Sequence, residues 1–120
     1  MPKVLVVDDD FVTRAVCQSL LEGQGHEVMI AEDGEAALFS AAVHAPDLVI
    51  MDLNMPVMAG FDALEKLKAQ DTTKDIPVLA LTSEFNDSTY DSFYQAGGAG
   101  FIQKPIDDRV FLSRINDALT

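Results

Sequence analysis

Lysine and arginine are scarce in this chain: eight of them stand against twenty aspartates and glutamates, a formal net charge of −12. Proteins that bind nucleic acid directly carry a concentrated basic face, so that class of function is not expected. Cysteine is nearly absent. The one thiol, Cys17, has no possible partner within the chain, which excludes the disulfide framework of small secreted domains. No apolar run approaches the roughly 18 residues of a membrane span. The N-terminus, MPKVLVVDDD, has one lysine and a short apolar stretch closed by three acids, unlike a secretory leader. A cytoplasmic location without membrane attachment is the expectation. The rest of the composition is that of a folded globular chain, with 48% hydrophobic and 23% charged residues. Its 120 residues suffice for one core, so a single domain over 1–120 is expected.

Periodicity gives the organisation. KVLVV at 3–7 is a continuous aliphatic run of the kind buried on both faces of a sheet. From position 11 to about 23, Val12, Ala15, Val16, Ser19 and Leu20 recur at helical spacing, and Gly23 and Gly25 close that helix. EVMIA at 27–31 is strand-like, and a helix over 35–43 stops at Pro46. DLVIM at 47–51 is a second wholly apolar strand, followed by a loop punctuated by Pro56 and Gly60. A helix over 61–70, a strand over 76–81, a helix over 86–96 rich in Asp, Ser and Thr, a strand over 100–103 and a helix over 107–119 complete the chain. The last helix carries Val110, Phe111, Ile115 and Leu119 as its apolar stripe. Strict alternation of this kind, (βα)5, predicts a parallel sheet with helices on both faces and right-handed crossovers.

In such a sheet, ligands bind outside the carboxyl ends of the strands, where the winding reverses. Asp8 and Asp9 lie at that end of the first strand, Asp52 at the third, Thr82 at the fourth and Lys104 at the fifth. Clustered carboxylates repel unless a counter-ion joins them or their pKa values rise. Mg2+ suits them, because it takes hard oxygen ligands and keeps waters and a phosphate oxygen in its shell; Mn2+ would serve in its place. Asp8 and Asp9 on their own would equally suit a helix N-terminus, where acids complement the macrodipole. Asp52 on the neighbouring strand favours the metal. Asp10 is assigned to helix capping. Lys104 precedes Pro105, a pair that suggests a held geometry and is compatible with a cis peptide. Its ammonium would neutralise phosphoryl oxygens, and the Thr82 hydroxyl would donate to one of them.

VLVVDDD, VIMDLNMPVMAG, VLALTSE and FIQKPI resemble the four signature stretches of the receiver domains of two-component response regulators, and the resemblance covers the whole chain. It implies a flavodoxin-like doubly wound (βα)5 fold with strand order 2-1-3-4-5. It further implies that Asp52 is the phosphoacceptor, and that Asp9, Asp52 and the backbone carbonyl of Asn54 hold Mg2+, with Asp8 acting through water. By the same resemblance Thr82 senses the phosphoryl group, Lys104 pairs with it, and Phe101 is the aromatic switch position. Many family members have Tyr at that site, so a switch that needs a hydroxyl there is not expected. The donor would be a phosphohistidine on a histidine kinase or a histidine phosphotransfer protein. Output would go to a downstream protein through the face of the fourth helix, fifth strand and fifth helix, by a monomer or a weak phosphorylation-dependent dimer. This is a phosphoacceptor switch rather than an enzyme, with self-catalysed phosphotransfer and dephosphorylation at most. Asn54 and Glu84 would tune the latter by orienting water.

Other readings fit less well. A haloacid-dehalogenase-like aspartyl-phosphate hydrolase needs a second acid two residues after its nucleophile, where this chain has Asn54. AGGAG at 96–100 follows a helix and precedes a strand, the reverse of a dinucleotide fingerprint. Met51, Met55 and Met58 read as packing residues, Cys17 as a small core residue, and His26 and His44 as surface residues. Phe85, Tyr90, Phe93 and Tyr94 cannot all face the core from one short helix. With Phe93 inward, Tyr90 is the expected exposed ring and Tyr94 the second, both suited to a partner surface. A stand-alone protein and a receiver cut from a longer regulator or hybrid kinase would look alike at this length.

Overall fold

Five strands and five helices alternate as β1 (Lys3–Val7), α1 (Phe11–Gly23), β2 (Glu27–Ala31), α2 (Gly34–His44), β3 (Leu48–Asp52), α3 (Gly60–Ala69), β4 (Val78–Thr82), α4 (Asp87–Gln95), β5 (Gly100–Gln103) and α5 (Asp108–Leu119). The structure is a computed structural model and describes residues 2–53, 60–83 and 87–119. The strands form one parallel sheet in the order β2-β1-β3-β4-β5, the expected doubly wound arrangement.

The sheet separates two cores, as the period-2 alternation of a strand requires. Leu5, Val7, Val49, Met51, Ala80 and Phe101 face one way, against α2, α3 and α4. Val4, Val6, Ile50, Leu79, Leu81 and Ile102 face the other, against α1 and α5. β1, β3 and β4 are covered on both sides, which is why their sequences are almost unbroken runs of aliphatic residues. Asp10 caps α1, its carboxylate accepting from the Val12 and Thr13 amides and the Thr13 hydroxyl. Asp33 does the same for α2 through the Ala36 amide, and α2 ends at Ala45 in a left-handed conformation (φ 47°) just before Pro46.

Two differences from the expected elements bear on the site. β3 and β4 begin and end later than periodicity suggested. Pro77 has no amide to give to a ladder, pairing starts at Val78, and Asp52 and Thr82 become the last residues of their strands. The phase of α1 is also corrected. Its inward residues are Arg14, Cys17 and Leu21, whereas Val12 is 65% exposed and Val16 also faces outward. An arginine holds an inward position, so hydropathy alone pointed to the wrong stripe.

Candidate functional site

Register brings the predicted residues together. Val7 pairs with Met51, and Asp52 pairs with Leu81. Asp8, one residue past β1, and Asp52, the last of β3, therefore stand side by side at the carboxyl edge. Thr82 pairs with Gln103, and the next amide, that of Lys104, donates to the Thr82 carbonyl at 2.9 Å. Lys104 thus enters the same edge from β5. The Lys104–Pro105 peptide is cis.

The two inner carboxylates are buried. Asp8 is wholly inaccessible, and Asp52 is 4% exposed. Asp8 Oδ1 accepts from the Asp10 amide at 2.9 Å, and its own amide donates to the Ala31 carbonyl at 3.2 Å. The Lys104 ammonium lies between the two acids, 2.9 Å from Asp8 Oδ2 and 3.3 Å from Asp52 Oδ2. Burial by itself would lower the pKa of that amine. Hydrogen bonding and charge from Asp8, and then from Asp52, outweigh burial and raise it, so the lysine is held as a cation. Asp9 sits exposed at the rim.

Oxygen atoms of Asp8, Asp9 and Asp52 all lie within 4.8 Å of one another. Ligands on opposite sides of one Mg2+ are about 4.2 Å apart, twice its roughly 2.1 Å bond, so the three carboxylates are close to the spacing such an ion requires. Asp8 Oδ2 is buried, with the Lys104 ammonium 2.9 Å away as its partner. Hard oxygens in this arrangement fit a divalent cation.

Thr82 is buried at the end of β4. Phe101 is only 8% exposed and lies within a ring cluster, with centroids 4.3 Å from Tyr90, 4.9 Å from Phe93 and 5.6 Å from Tyr94. The expected order of the tyrosines is reversed. Tyr94 is 53% exposed, whereas Tyr90 is half-buried edge-on against Phe101. A groove of about 710 Å³ runs beside these rings, lined by Tyr90, Tyr94, Phe101, Val110 and Arg114 among others. Asn54 and Glu84, with Met55, Met58 and Phe85, lie outside the described residues. Met51 and Cys17 are core residues as expected. His44 is exposed, but His26 is only half so and its Nδ1 is buried.

Sequence reasoning missed two features. Arg14 reaches back under the acid turn, its Nη1 donating to the Asp8 carbonyl at 2.6 Å. Beside the acidic edge, a second groove of about 420 Å³ is lined by Val12, Val16, Ser83, Lys104, Pro105 and Ile106. The available signal was faint: a charged residue among apolar ones in a helix, and valines that make a poor inward stripe.

The family model for the response regulator receiver domain matches residues 4–116. This chain belongs to that family. The receiver is 35% identical over 113 residues to the response regulator PleD of Caulobacter vibrioides, a match covering 94% of this chain and 25% of PleD. The chain therefore spans a quarter of the length of that relative. Among solved structures, the receiver resembles chemotaxis protein CheY4 of Vibrio cholerae, with a TM-score of 0.95, 34% identity and 99% of each chain covered. It also resembles the receiver domain of sensor histidine kinase PA1611 from Pseudomonas aeruginosa, with a TM-score of 0.90, 26% identity and coverage of 98% and 97%. That structure has a magnesium ion coordinated in its active-site cleft. Among the described residues of the present receiver, no helix is long and apolar enough to cross a membrane.

Proposed function

We propose that residues 1–120 act as one phosphorelay receiver that takes a phosphoryl group onto Asp52. The observation that carries this reading is the half-buried Lys104 ammonium between Asp8 and Asp52, 2.9 and 3.3 Å from their oxygens. A carboxylate oxygen of Asp52 attacks the phosphorus of a phosphohistidine, the P–N bond breaks in line, and the imidazole leaves with the bonding pair. Asp9, Asp52 and the Asn54 carbonyl, with Asp8 through water, would hold Mg2+ or Mn2+, and the ion would supply charge neutralisation for the transferred group. Lys104 pairs with a phosphoryl oxygen and the Thr82 hydroxyl donates to another; positioning and charge neutralisation are what phosphoryl transfer demands of a protein. Asn54 and Glu84 orient the water that later hydrolyses the acyl phosphate, so turnover stops at self-dephosphorylation.

The donor is a histidine kinase or a histidine phosphotransfer protein. It must bring its imidazole to Asp52, and the apolar groove of Val12, Val16 and Ile106 beside Lys104 is the adjoining surface on which it can rest. Output passes through the α4–β5–α5 face. Thr82, drawn toward the phosphoryl group, disturbs a strand bonded directly to β5, where Phe101, Tyr90 and Tyr94 meet. A downstream protein then reads that face, with the receiver as a monomer or weak phosphorylation-dependent dimer in the cytoplasm. Acetyl phosphate or the cognate phosphorylated kinase should add one phosphoryl group, seen by intact mass, only when Mg2+ is present. Equal labelling of wild type and Asp52→Asn rules the assignment out.

A further inference from the structure

We infer that Arg14 is a positioning residue for the acidic pocket, fixing the direction in which Asp9 presents its carboxylate. This rests on the Mg2+-dependent reading of the pocket given above and adds a residue to it. Arg14 sits on the inward side of α1 between Asp10 and Cys17, 8% exposed. Its Nη1 donates to the Asp8 carbonyl at 2.6 Å. Its Nη2 stands 3.8 Å from Glu32, an exposed acid just past β2, and the guanidinium carbon lies 5.9 Å from the exposed Phe11 ring. Nε is buried and has no hydrogen-bond partner among the described residues.

For stability alone this is a poor use of the site. A buried guanidinium with a free donor and one distant, solvated counter-ion is disfavoured relative to an apolar side chain of similar size, and Cys17 and Leu21 on the same face are apolar. What the arginine does hold is the peptide between Asp8 and Asp9. The bond to that carbonyl restrains ψ of Asp8 and φ of Asp9, while the Asp8 amide is tied to Ala31 and the Asp8 carboxylate to the Asp10 amide. Asp9, at the rim, has its direction set by this peptide plane. Groups that orient metal ligands from behind influence affinity strongly.

Charge and position make opposite predictions. As a bare cation near the pocket, Arg14 repels Mg2+, and removing it would tighten binding. As a clamp on the Asp8–Asp9 peptide, its removal loosens binding. The test is Mg2+ titration of the full chain, by calorimetry and by the amide resonances of Asp8 to Asp10, for wild type, Arg14→Met and Arg14→Lys, with metal-free urea midpoints alongside. Positioning predicts that Arg14→Met raises the Mg2+ dissociation constant roughly 10-fold. Arg14→Lys keeps the charge but lacks the fork, and should also weaken binding; it carries the test if Arg14→Met does not fold. A lowered midpoint with an unchanged or tighter Mg2+ constant overturns the positioning role and leaves the pocket intact. Wild type that binds no Mg2+ overturns the reading of the pocket itself.

Discussion

The carboxyl edge of the sheet and the α4–β5–α5 face are next to each other and are held in different ways. At the edge, one ammonium and two buried carboxylates fix one another at 2.9 and 3.3 Å, on strand ends whose register leaves little freedom. On the face, Phe101 meets Tyr90, Phe93 and Tyr94 through ring contacts at 4.3–5.6 Å. Each such contact contributes about 0.5–1.5 kcal/mol beyond burial and can be traded for a neighbouring one. A rigid charged pocket beside a face of interchangeable contacts is suited to converting a local charge change into a change of surface.

Removing the cation should break the rigid side most. Lys104→Met removes the ammonium that stands between the buried Asp8 and Asp52 carboxylates. Breaking a buried pair costs about 3–5 kcal/mol, and the partly exposed lysine places this variant near the lower end, about 3 kcal/mol. Urea midpoints without metal measure it, and added Mg2+ should recover part of the loss. On the face, a Cβ at Gly98 would land on the buried Phe93 ring, so Gly98→Ala should cost about 1–3 kcal/mol by overpacking. Its Mg2+ affinity should stay at the wild-type value, because the two regions share no partner there. A change in that affinity would show the regions are less separate than the contacts indicate.

Mg2+ at about ten times its dissociation constant should stabilise wild type by roughly 1.4 kcal/mol, and Asp9→Ala should lose most of that gain. The smallest effect concerns Cys17. Burial first, and then the charge of Asp8, push its thiol from 9.0 up to about 12. The unfolded chain therefore releases this proton before the folded one does. The stability it contributes is complete below pH 9 and is lost as pH rises toward 12. Relative to Cys17→Ala, wild type should lose about 0.4 kcal/mol by pH 9, read from urea midpoints between neutral pH and pH 9.

The charged edge was legible in the sequence because its position follows from topology. Asp8, Asp52, Thr82 and Lys104 each end or follow an apolar run, and a parallel doubly wound sheet gathers such ends on one side. The aromatic face was less legible, since it depends on the rotation of one short helix. Over nine residues of α4, Tyr90 and Tyr94 lie four apart on nearly the same face. Hydropathy therefore does not separate the ring packed on Phe101 from the exposed one, and the sequence read them in the wrong order. The phase of α1 was hidden for a chemical reason: Arg14 is inward because a backbone carbonyl receives it, and hydropathy does not encode that bond. Phe101, which has no hydroxyl to keep in water, is already buried. On the proposed mechanism, an inward ring leaves phosphorylation a smaller change to make than an outward ring would.

Coupling between the two regions is tested most directly by NMR of the receiver with Mg2+, before and after adding beryllofluoride, a phosphoryl mimic. The account predicts shifts at Asp52, Thr82 and Lys104 that continue into Gln103, Tyr94 and the first turns of α5, with the Phe101 ring still packed on Tyr90. Shifts confined to Asp8, Asp9 and Asp52, with Gln103, Tyr94 and α5 unmoved, would contradict it.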